Sequence, residues 1–452
     1  MVQERDTRLL QIEDMIRRLL RRNAETHLGN ALAKVHPAEA AHIFRNLETE
    51  ERQRAFAVIH DIERRAEILS ECDQQIISEL LEPMSNEEIA TLLKQIDSND
   101  TRHILEALPE GRASEVVEQM DVHESFIIED IMAYASDSAG SIMSDSFVAF
   151  FDETTVEEAI NEVRKANEVD YVFYVYVLGE DRHLRGVVSL RQLLLAEPKI
   201  RLSEVMTSNV WSVTIHSDQE DVARLVSRYN ILAIPVVDDS GVMLGVVTVD
   251  DVIDVLREEA TEDILKMAGT HAEEITNLSV GRMAWIRFPW LFVSWLGGVG
   301  ASLLIGVFEN EISKVIALAA FMPVIIGMAG NVGTQSATII VRGLATGGVS
   351  PKAWFRVVSK QLGAGVILGV AYGVLLGILT LFQFGSATKI GLVVGFSIAI
   401  VMTLAALLSS IFPLLMHRFR FDPALSTGPF VTTGVDVIGI LVYFTIARYL
   451  LF

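Results

Sequence analysis

Asp436 lies in the middle of an apolar stretch near the end of the chain, in the sequence GPFVTTGVDVIGILVYF. A charged side chain at membrane depth costs about 2.5–3.5 kcal/mol on insertion scales, so it usually faces water, a partner or an ion. Its small and hydroxyl-bearing neighbours, which let water and main-chain oxygens approach, are Gly428, Thr432, Thr433 and Gly434. These residues predict a cation site at Asp436, the alternative being a satisfied interhelical hydrogen bond or a protonated acid.

A second apolar stretch, PVIIGMAGNVGTQSAT, is irregular. Its proline and glycines predict a helix broken near its middle, at Pro323, Gly327, Gly330 and Gly333. Broken helices at membrane depth are tolerated only where they line a cavity or pack inside protein. We therefore predict a pore lined, besides Asp436 and Thr432, by Gly330, Asn331, Thr334, Gln335, Gly428 and Thr433. A glycine-rich packing helix is the alternative.

Five apolar stretches of this kind follow one another, each meeting or exceeding the ~20 residues that a helix needs to cross a bilayer. They cover about 286–308, 313–341, 355–382, 390–416 and 428–451. The third carries glycines at four-residue spacing, which predicts a close-packing helix face; they are Gly365, Gly369, Gly373 and Gly377. No βαβ unit surrounds them, so a dinucleotide-binding loop is excluded.

The distribution of basic residues predicts the orientation of these spans. An odd number of spans puts the two termini on opposite sides. With the N-terminus inside, eight basic residues lie at the inner connections and three at the outer ones. The expected location is therefore the cell (plasma or inner) membrane, multi-pass and surrounded by lipid, with a cytosolic N-terminus and an outer C-terminus.

Charge divides the chain into two different parts. The net charge is −22, but residues 282–452 carry 11 basic and 4 acidic residues, and residues 1–281 carry 26 basic and 55 acidic ones. An acidic part of this size repels nucleic acid and attracts cations, so no nucleic-acid partner is expected. The single cysteine, Cys72, excludes an intrachain disulfide and a cysteine-rich metal site. The charged N-terminus lacks the apolar core of a signal peptide.

The acidic part has two patterns. Up to residue 135, apolar residues recur at three- and four-residue intervals, which predicts a superhelix of stacked helices. Residues 140–256 contain short β-branched runs and amphipathic helices twice over, with Gly186-Val-Val-Ser matching Gly245-Val-Val-Thr. This repeat resembles a pair of CBS domains, an α/β fold.

The predicted fold is thus multidomain. An all-α superhelical N-domain (1–135) is followed by a first CBS domain (136–200) and a second (201–257). A connecting or plug helix (258–282) then leads to a five-helix α transmembrane pore domain (283–452).

The order of these parts, together with PxxxGMAGNxGxQ in the second span and DPALSTGPFVTTGVDVIG in the last, resembles the MgtE family of magnesium channels. The resemblance covers nearly the whole chain. It implies a homodimeric Mg²⁺ channel with five spans per subunit and a pore between subunits. It also implies that Asp436 is the pore aspartate and that a carbonyl near Thr432 helps to hold a hydrated ion. Mg²⁺ keeps its waters tightly and is usually held by one or two carboxylates.

The resemblance further implies that cytosolic Mg²⁺ closes the channel by binding acids at the end of the second CBS domain and on the plug helix. Four of these acids share one helical face by their spacing, and two lie beside it: Asp251, Asp254, Glu258 and Glu262, then Glu259 and Asp263. Bound ions would screen the repulsion between such carboxylates and favour the compact state. Without the resemblance, an ordinary solvated helix face is the alternative.

Weaker regulatory candidates are Glu87 and Glu88 in the N-domain, and Ser227 and Asn230 in the second CBS domain. Asn230 stands where an acid is expected. Some family members bind ATP at the CBS pair, where an aspartate can hold the ribose. The second copy has Asp251 at that position, but the first has Gln192, which argues against ATP.

Three other functions compete with a Mg²⁺ channel. One is a CBS-regulated transporter of another divalent cation such as Co²⁺ or Mn²⁺, or of another solute; Asp436 and the lack of basic residues near the span centres argue against an anion. The second is a nucleotide-sensing protein with a passive anchor, which would need only one or two spans. The third is an enzyme, for which there is no P-loop, HExxH motif or nucleophile elbow.

Overall fold

A computed structural model of the chain describes residues 2–165, 172–270, 279–346, 348–349, 354–384, 388–426 and 428–452. The chain divides into two compact units, Met1–Leu256 and Arg257–Phe452. Each unit is described by itself below.

The first unit begins with short amphipathic helices. Their apolar residues, such as Ile89, Leu92 and Leu93, recur every three or four positions and join one buried core. Local caps fix where the helices begin, as in the capping box between Ser85 and Glu88. The helices are α1 Val2–Arg21, α2 Glu25–Leu32, α3 Pro37–Arg45, α4 Thr49–Ala57, α5 Ile62–Ser70, α6 Gln74–Leu81, α7 Asn86–Leu93, α8 Ser98–Glu106, α9 Glu110–Val117 and α10 Val122–Ala133. The all-helical N-domain is thereby confirmed.

The two repeats that follow have the same topology, which confirms the CBS pair. The first contains α11 Ala139–Ile142, β1 Ala149–Phe151, α12 Val156–Val163, β2 Tyr174–Leu178, β3 Leu184–Ser189 and α13 Leu190–Leu195. The second contains α14 Leu202–Val205, β4 Val213–Thr214, α15 Gln219–Tyr229, β5 Ala233–Val237, β6 Met243–Thr248 and α16 Val249–Ala268. In each sheet the first strand runs parallel to the middle one and the last runs antiparallel to it.

The entering segments of the two CBS copies are exchanged. Ser144, at the start of the first copy, pairs with Val246 in the second, and Thr207, at the start of the second, pairs with Val187 in the first. The glycine of the matching Gly-Val-Val motif makes room for this crossing: a Cβ atom on Gly245 would lie 2.7 Å from the main-chain oxygen of Ser144. Neither copy is therefore complete without the other.

The second unit contains five helices that are long and apolar enough to cross a membrane, counted within the described residues. Beyond the end of α16, its helices are α17 Val280–Val307, α18 Glu309–Lys314, α19 Ala317–Ala345, α20 Trp354–Phe384, α21 Thr388–Arg418 and α22 Pro429–Leu451, with a 3₁₀ turn at Pro423–Ser426. The predicted set of five spans is confirmed.

The predicted break in the second span is wrong, because α19 is a continuous helix from Ala317 to Ala345. Pro323 lies inside it, and its missing N–H removes one hydrogen bond without ending the helix. In a membrane, an unpaired main-chain group costs several kcal/mol, so a helix continues through glycines that would weaken it in water.

The predicted boundary between the second CBS domain and the plug helix falls inside one uninterrupted helix, α16. No helix-breaking residue occurs before Gly269, whose φ of +75° ends the helix. The amides of Gly269 and Thr270 bond back to the oxygens of Lys266 and Leu265, as in a Schellman cap. Of the predicted plug segment 258–282, residues 271–278 lie outside the described residues, and residues 280–282 belong to α17.

The glycine ladder of the third span is confirmed as a close-packing face. Cβ atoms on Gly369 and Gly373 would lie 2.6 Å from main-chain oxygens of Ala399 and Gly395, respectively, on α21. No side chain larger than hydrogen fits at these positions without moving the two helices apart. Helices α20 and α21 therefore approach at backbone contact, as small-residue interfaces in membranes do.

We predict that Gly373→Ala destabilises the membrane unit by about 1–3 kcal/mol, the usual cost of overpacking. The matched variant is Gly363→Ala on the same helix, where an added methyl group meets nothing within 4 Å. That control should be neutral or stabilising, because alanine favours a helix over glycine by about 1 kcal/mol. Thermal unfolding of both variants in detergent measures the difference, and equal midpoints would contradict the packing described.

Candidate cation sites

The last membrane helix, α22, carries Asp436 on a half-buried position two turns after its start. Among the described residues, no hydrogen-bond donor or cation pairs with its carboxylate. One turn earlier, the Thr432 hydroxyl lies 3.3 Å from the main-chain oxygens of Gly428 and Pro429. A carboxylate without a counter-charge at this depth requires a cation, a proton or a partner from another chain.

Helices α19 and α22 pack closely beside this aspartate. A Cβ atom on Gly333 would lie 3.3 Å from Val435 and 3.5 Å from Val431. Farther along, the buried hydroxyl of Tyr443 donates a hydrogen bond of 2.8 Å to the main-chain oxygen of Leu318. These contacts hold the two helices in register, so the positions of their polar residues are fixed relative to each other.

The polar residues predicted on the second span share one face of α19. Asn331, Thr334 and Gln335 line an open groove of about 450 Å³ together with Thr338 and Ile339. These positions are spaced as neighbours on a helix surface. Thr338, seven residues after Asn331, was missed by sequence reasoning, although its helical spacing could have revealed it.

Three other predicted pore residues have different surroundings. A methyl group of Thr433 packs against Gly297 of α17, so this side chain belongs to a helix interface. Gly330 has open space where a Cβ atom would point. Gly428 precedes α22, and a Cβ atom there would lie 3.8 Å from the main-chain oxygen of Met267, at the end of α16.

In the first unit, Asp251 joins the N-domain to the CBS pair. Its carboxylate accepts hydrogen bonds from the Thr248 amide, at 3.0 Å, and from the Asn99 side-chain amide, at 2.8 Å. The other side-chain atom of Asn99, Oδ1, is buried and has no hydrogen-bond partner in the described part of the chain. A buried acceptor oxygen of this kind lacks a donor or a cation.

A second contact lies beside the first. The Asp97 carboxylate accepts hydrogen bonds from the hydroxyls of Ser144, at 3.1 Å, and Ser146, at 2.8 Å. The amide of Asp145 donates to the Ser98 hydroxyl at 3.3 Å. The start of α8 is therefore held against the segment that enters the first CBS copy.

Several carboxyl groups meet at this contact. Burial, and then the charges of Asp97, Glu71, Asp250 and Asp254, raise the pKa of Asp100 to about 7. The pKa of Asp251 is also raised to about 7. Burial is the largest cause, the hydrogen bonds from Thr248 act against it, and the charges of Asp250 and Asp100 act in the same direction as burial. We call the group Glu71, Asp97, Asn99, Asp100, Asp250, Asp251 and Asp254 the interface cluster. It carries more negative charge than its surroundings compensate.

The interface cluster is not a preformed cage. Within the described residues, no group of three or more His, Cys, Asp or Glu side chains is arranged to hold a metal ion. The donor set nevertheless fits a hydrated Mg²⁺, which keeps most of its waters and takes few direct protein oxygens. Carboxylates around the unpaired Asn99 Oδ1 provide such oxygens.

The structure divides the predicted regulatory acids between the two units. Asp251 and Asp254 belong to the interface cluster, whereas Glu262 and Asp263 lie at the other end of α16, close to Asp422. Between them, Glu258 is exposed and Glu259 is half-buried. The sequence analysis missed Glu71, Asp97, Asn99 and Asp100. The IDSND run at 96–100 is the signal for them in the sequence, since two acids and an asparagine lie next to one another there.

Several weaker candidates have local structural roles. The Glu88 carboxylate accepts hydrogen bonds from the Ser85 amide and hydroxyl, at 2.8 and 2.9 Å, and so caps α7. Asn230 has a φ of 52° and ends α15 in the left-handed conformation that asparagine tolerates well. Gln192 caps α13 through Ser189. Glu87 and Ser227 are exposed.

The comparisons with known proteins agree with this architecture. Family models described as "MgtE intracellular N domain" and "CBS domain" match residues 35–137, and 139–199 and 202–258, respectively. A third, described as "Divalent cation transporter", matches residues 322–446. An N-domain and a CBS pair joined to a membrane-helix domain of this type define a multi-pass membrane transport protein.

Curated relatives identify the family. The magnesium transporter MgtE of Bacillus subtilis is 31% identical over 95% of both chains, and that of Thermus thermophilus is 39% identical over 72% of both. The chain belongs to the MgtE family. Among solved structures, the cytosolic domain of the Mg²⁺ channel MgtE in complex with ATP is similar, with 30% identity and a TM-score of 0.52, covering 54% of this chain and 99% of that one.

The raised pKa values of Asp100 and Asp251 predict that the interface cluster loosens as pH rises. Both folded-state values lie above the ordinary aspartate value of about 3.9, so the compact contact binds more protons than the open one, and its stability falls between about pH 4 and 7. Without divalent ions, amides of α8 in the full-length protein should exchange hydrogen faster at pH 8 than at pH 6, after correction for intrinsic rates.

Mg²⁺ should restore protection at pH 8 more than at pH 6, because protons compete with the ion for the same carboxylates. The control is the Asp100→Asn and Asp251→Asn double variant, in which the pH dependence should flatten. Equal protection of the wild type at both pH values would show that these carboxyl groups do not control the contact.

Proposed function

We propose that this protein carries Mg²⁺ into the cell along a path lined by α19 and α22, with Asp436 as the ion ligand within the membrane. The observation that carries the proposal is the Asp436 carboxylate, which has no partner among the described residues. The curated relatives named as magnesium transporters support Mg²⁺ as the cargo. The main-chain oxygen of Thr432, one turn before Asp436, is the proposed second ligand.

The groove on α19 supports a path shared by two subunits. Asn331, Thr334 and Gln335 lie on the surface of the isolated chain, where lipid would leave their polar atoms unsatisfied. A second copy of the chain facing this groove would exclude lipid and enclose water between the two. The proposed assembly is therefore a homodimer with the path at the subunit interface. The excess of basic residues at the inner connections supports an N-terminus in the cytosol and a C-terminus outside.

Asp436→Ala should abolish Mg²⁺ current in patches, because the path loses its only carboxylate within a span. Leu441→Ala is the matched variant: it truncates an exposed side chain on the same helix and should leave the current intact. Normal current through Asp436→Ala would overturn the pore assignment. Currents carried equally by Co²⁺ or Mn²⁺ would favour the alternative of a broader divalent-cation transporter.

We further propose that cytosolic Mg²⁺ closes this path by binding the acids of α16 and their partners. The regulatory set contains the predicted Asp251, Asp254, Glu258, Glu259, Glu262 and Asp263, extended by the other members of the interface cluster. A bound ion would relieve the crowded charge at Asp100 and Asp251 and supply a partner to Asn99 Oδ1. Each ion that binds the compact state more tightly than the open state adds to the free energy that favours the compact state.

In wild-type patches, the current should fall as the internal Mg²⁺ concentration rises. Replacing Asp100 and Asp251 together with alanine removes oxygen ligands, so the ratio of the currents at low and high internal Mg²⁺ should approach one. Glu50→Ala, at an exposed position on α4 outside the cluster, is the control and should keep the wild-type ratio. A full Mg²⁺ response in the double variant would exclude these residues as the sensor.

ATP has weaker support than Mg²⁺. The similar cytosolic domain of the Mg²⁺ channel MgtE was solved in complex with ATP, which is consistent with nucleotide binding by this chain. Here, however, both carboxylate oxygens of Asp251 already accept hydrogen bonds, and Gln192 caps a helix. Neither is free to hold a ribose in the conformation described, so ATP is not part of the proposed mechanism.

A further inference from the structure

One lysine near the end of α16 pairs with a carboxylate that lies shortly before α22. The Lys266 ammonium lies 2.8 Å from the Asp422 carboxylate and 2.6 Å from that of Glu262 on its own helix. Its side chain is only 21% exposed. Burial alone would lower the pKa of Lys266, but its hydrogen bonds to Asp422 and Glu262 raise it above its ordinary value, so the group stays charged.

Asp422 is held in place for this contact. Its other oxygen accepts a hydrogen bond of 2.8 Å from the Ala424 amide, at the 3₁₀ turn that leads into α22. Asp263 lies near the same carboxylate, and burial followed by the charge of Asp422 raises its pKa. Without the ammonium, Glu262, Asp263 and Asp422 would be three neighbouring carboxylates; the charge of Arg342 also acts on Asp263 and lowers its pKa.

The position of this lysine is close to the proposed path. The residue after it, Met267, places its main-chain oxygen next to Gly428, which begins the helix of Asp436. Gly269 lies 3.7 Å, measured from its ideal Cβ position, from the side chain of Trp290 on α17. The end of α16 and the residue after it therefore contact the residue before α22 and a side chain ten residues into α17.

We propose that Lys266 is a tethered cation that latches the end of α16 onto the start of α22, and so supplies an ion-independent part of the closed state. This inference rests on the proposed function. The ammonium neutralises part of the charge of Glu262 and Asp422, so a divalent ion that binds at this end of α16 strengthens an attachment that already exists. Closure then needs bound Mg²⁺, but the attachment at the start of α22 is partly formed without it.

The test is the inhibition of Mg²⁺ current by internal Mg²⁺ in Lys266→Met, with Lys266→Arg as the control that keeps the charge. Lys266→Met should raise the half-inhibiting Mg²⁺ concentration by up to about fivefold, the equivalent of a partly buried ion pair of ~1 kcal/mol. The curve should also become steeper, because a divalent ion now has to enter between the three carboxylates. Lys266→Arg should resemble the wild type.

Exchanging the charges of Lys266 and Asp422 distinguishes loss of the ion pair from general destabilisation of the protein. Lys266→Glu should weaken closure, and adding Asp422→Lys should restore much of it, as a coupled pair requires. Superimposable inhibition curves for Lys266→Met and wild type, or no recovery in the exchanged pair, would overturn the latch while leaving the channel proposal standing. Absence of Mg²⁺ current in the wild type would instead refute the proposed function. If Lys266→Met does not fold, hydrogen exchange of residues 257–268 is compared in Lys266→Arg and Asp422→Asn. Loss of protection is expected only in Asp422→Asn, and equal protection in both variants would overturn the latch.

Discussion

Carboxylates that lack a resident counter-charge determine how this protein is built. Moving a charged group away from water costs several kcal/mol unless a partner compensates it. In the membrane unit, Asp436 has no such partner among the described residues, and in the first unit Asp100 and Asp251 are crowded by further acids. Most proteins avoid this arrangement. Here it recurs in both units, and in each place a small mobile cation is the simplest compensation.

One group of carboxylates does have a counter-charge within the chain. At the far end of α16, Glu262 and Asp422 are paired with the ammonium of Lys266. A tethered ammonium is always present, whereas a free ion is present only above a certain concentration. In the mechanism we propose, the chain combines permanent and conditional neutralisation along a single helix, and only the conditional kind reports on the ion content of the surroundings.

The sequence predicted the parts of the fold that depend on periodicity. Helical spacing revealed the N-domain, the repeated Gly-Val-Val motif revealed the CBS pair, and hydropathy revealed five spans, because each signal is local. The predicted break in the second span is wrong, because glycine and proline weaken a helix locally without showing whether its neighbours keep it intact. In a membrane, the helix of Ala317–Ala345 continues instead.

The candidate sites were predictable only where chemistry and spacing coincide. Asp436 stood out as a lone acid in an apolar span, and the acids of α16 shared a face. The partners of Asp251 could not be found this way, because Asn99 and Asp100 lie about 150 positions earlier and meet it only through the packing of α8 against the CBS pair. Sequence spacing reports neighbours on one helix and says nothing about neighbours across a domain contact.

The exchanged entering segments of the CBS copies have a consequence for synthesis. Ser144 finds its partner, Val246, only after roughly 100 further residues have been made, a contact of high sequence separation that closes late in folding. The first copy therefore stays incomplete until the ribosome has produced the second. Its completion comes just before the first membrane helix begins at Val280. The order of elements in the chain thus lets the CBS pair finish folding at about the moment when insertion into the bilayer begins.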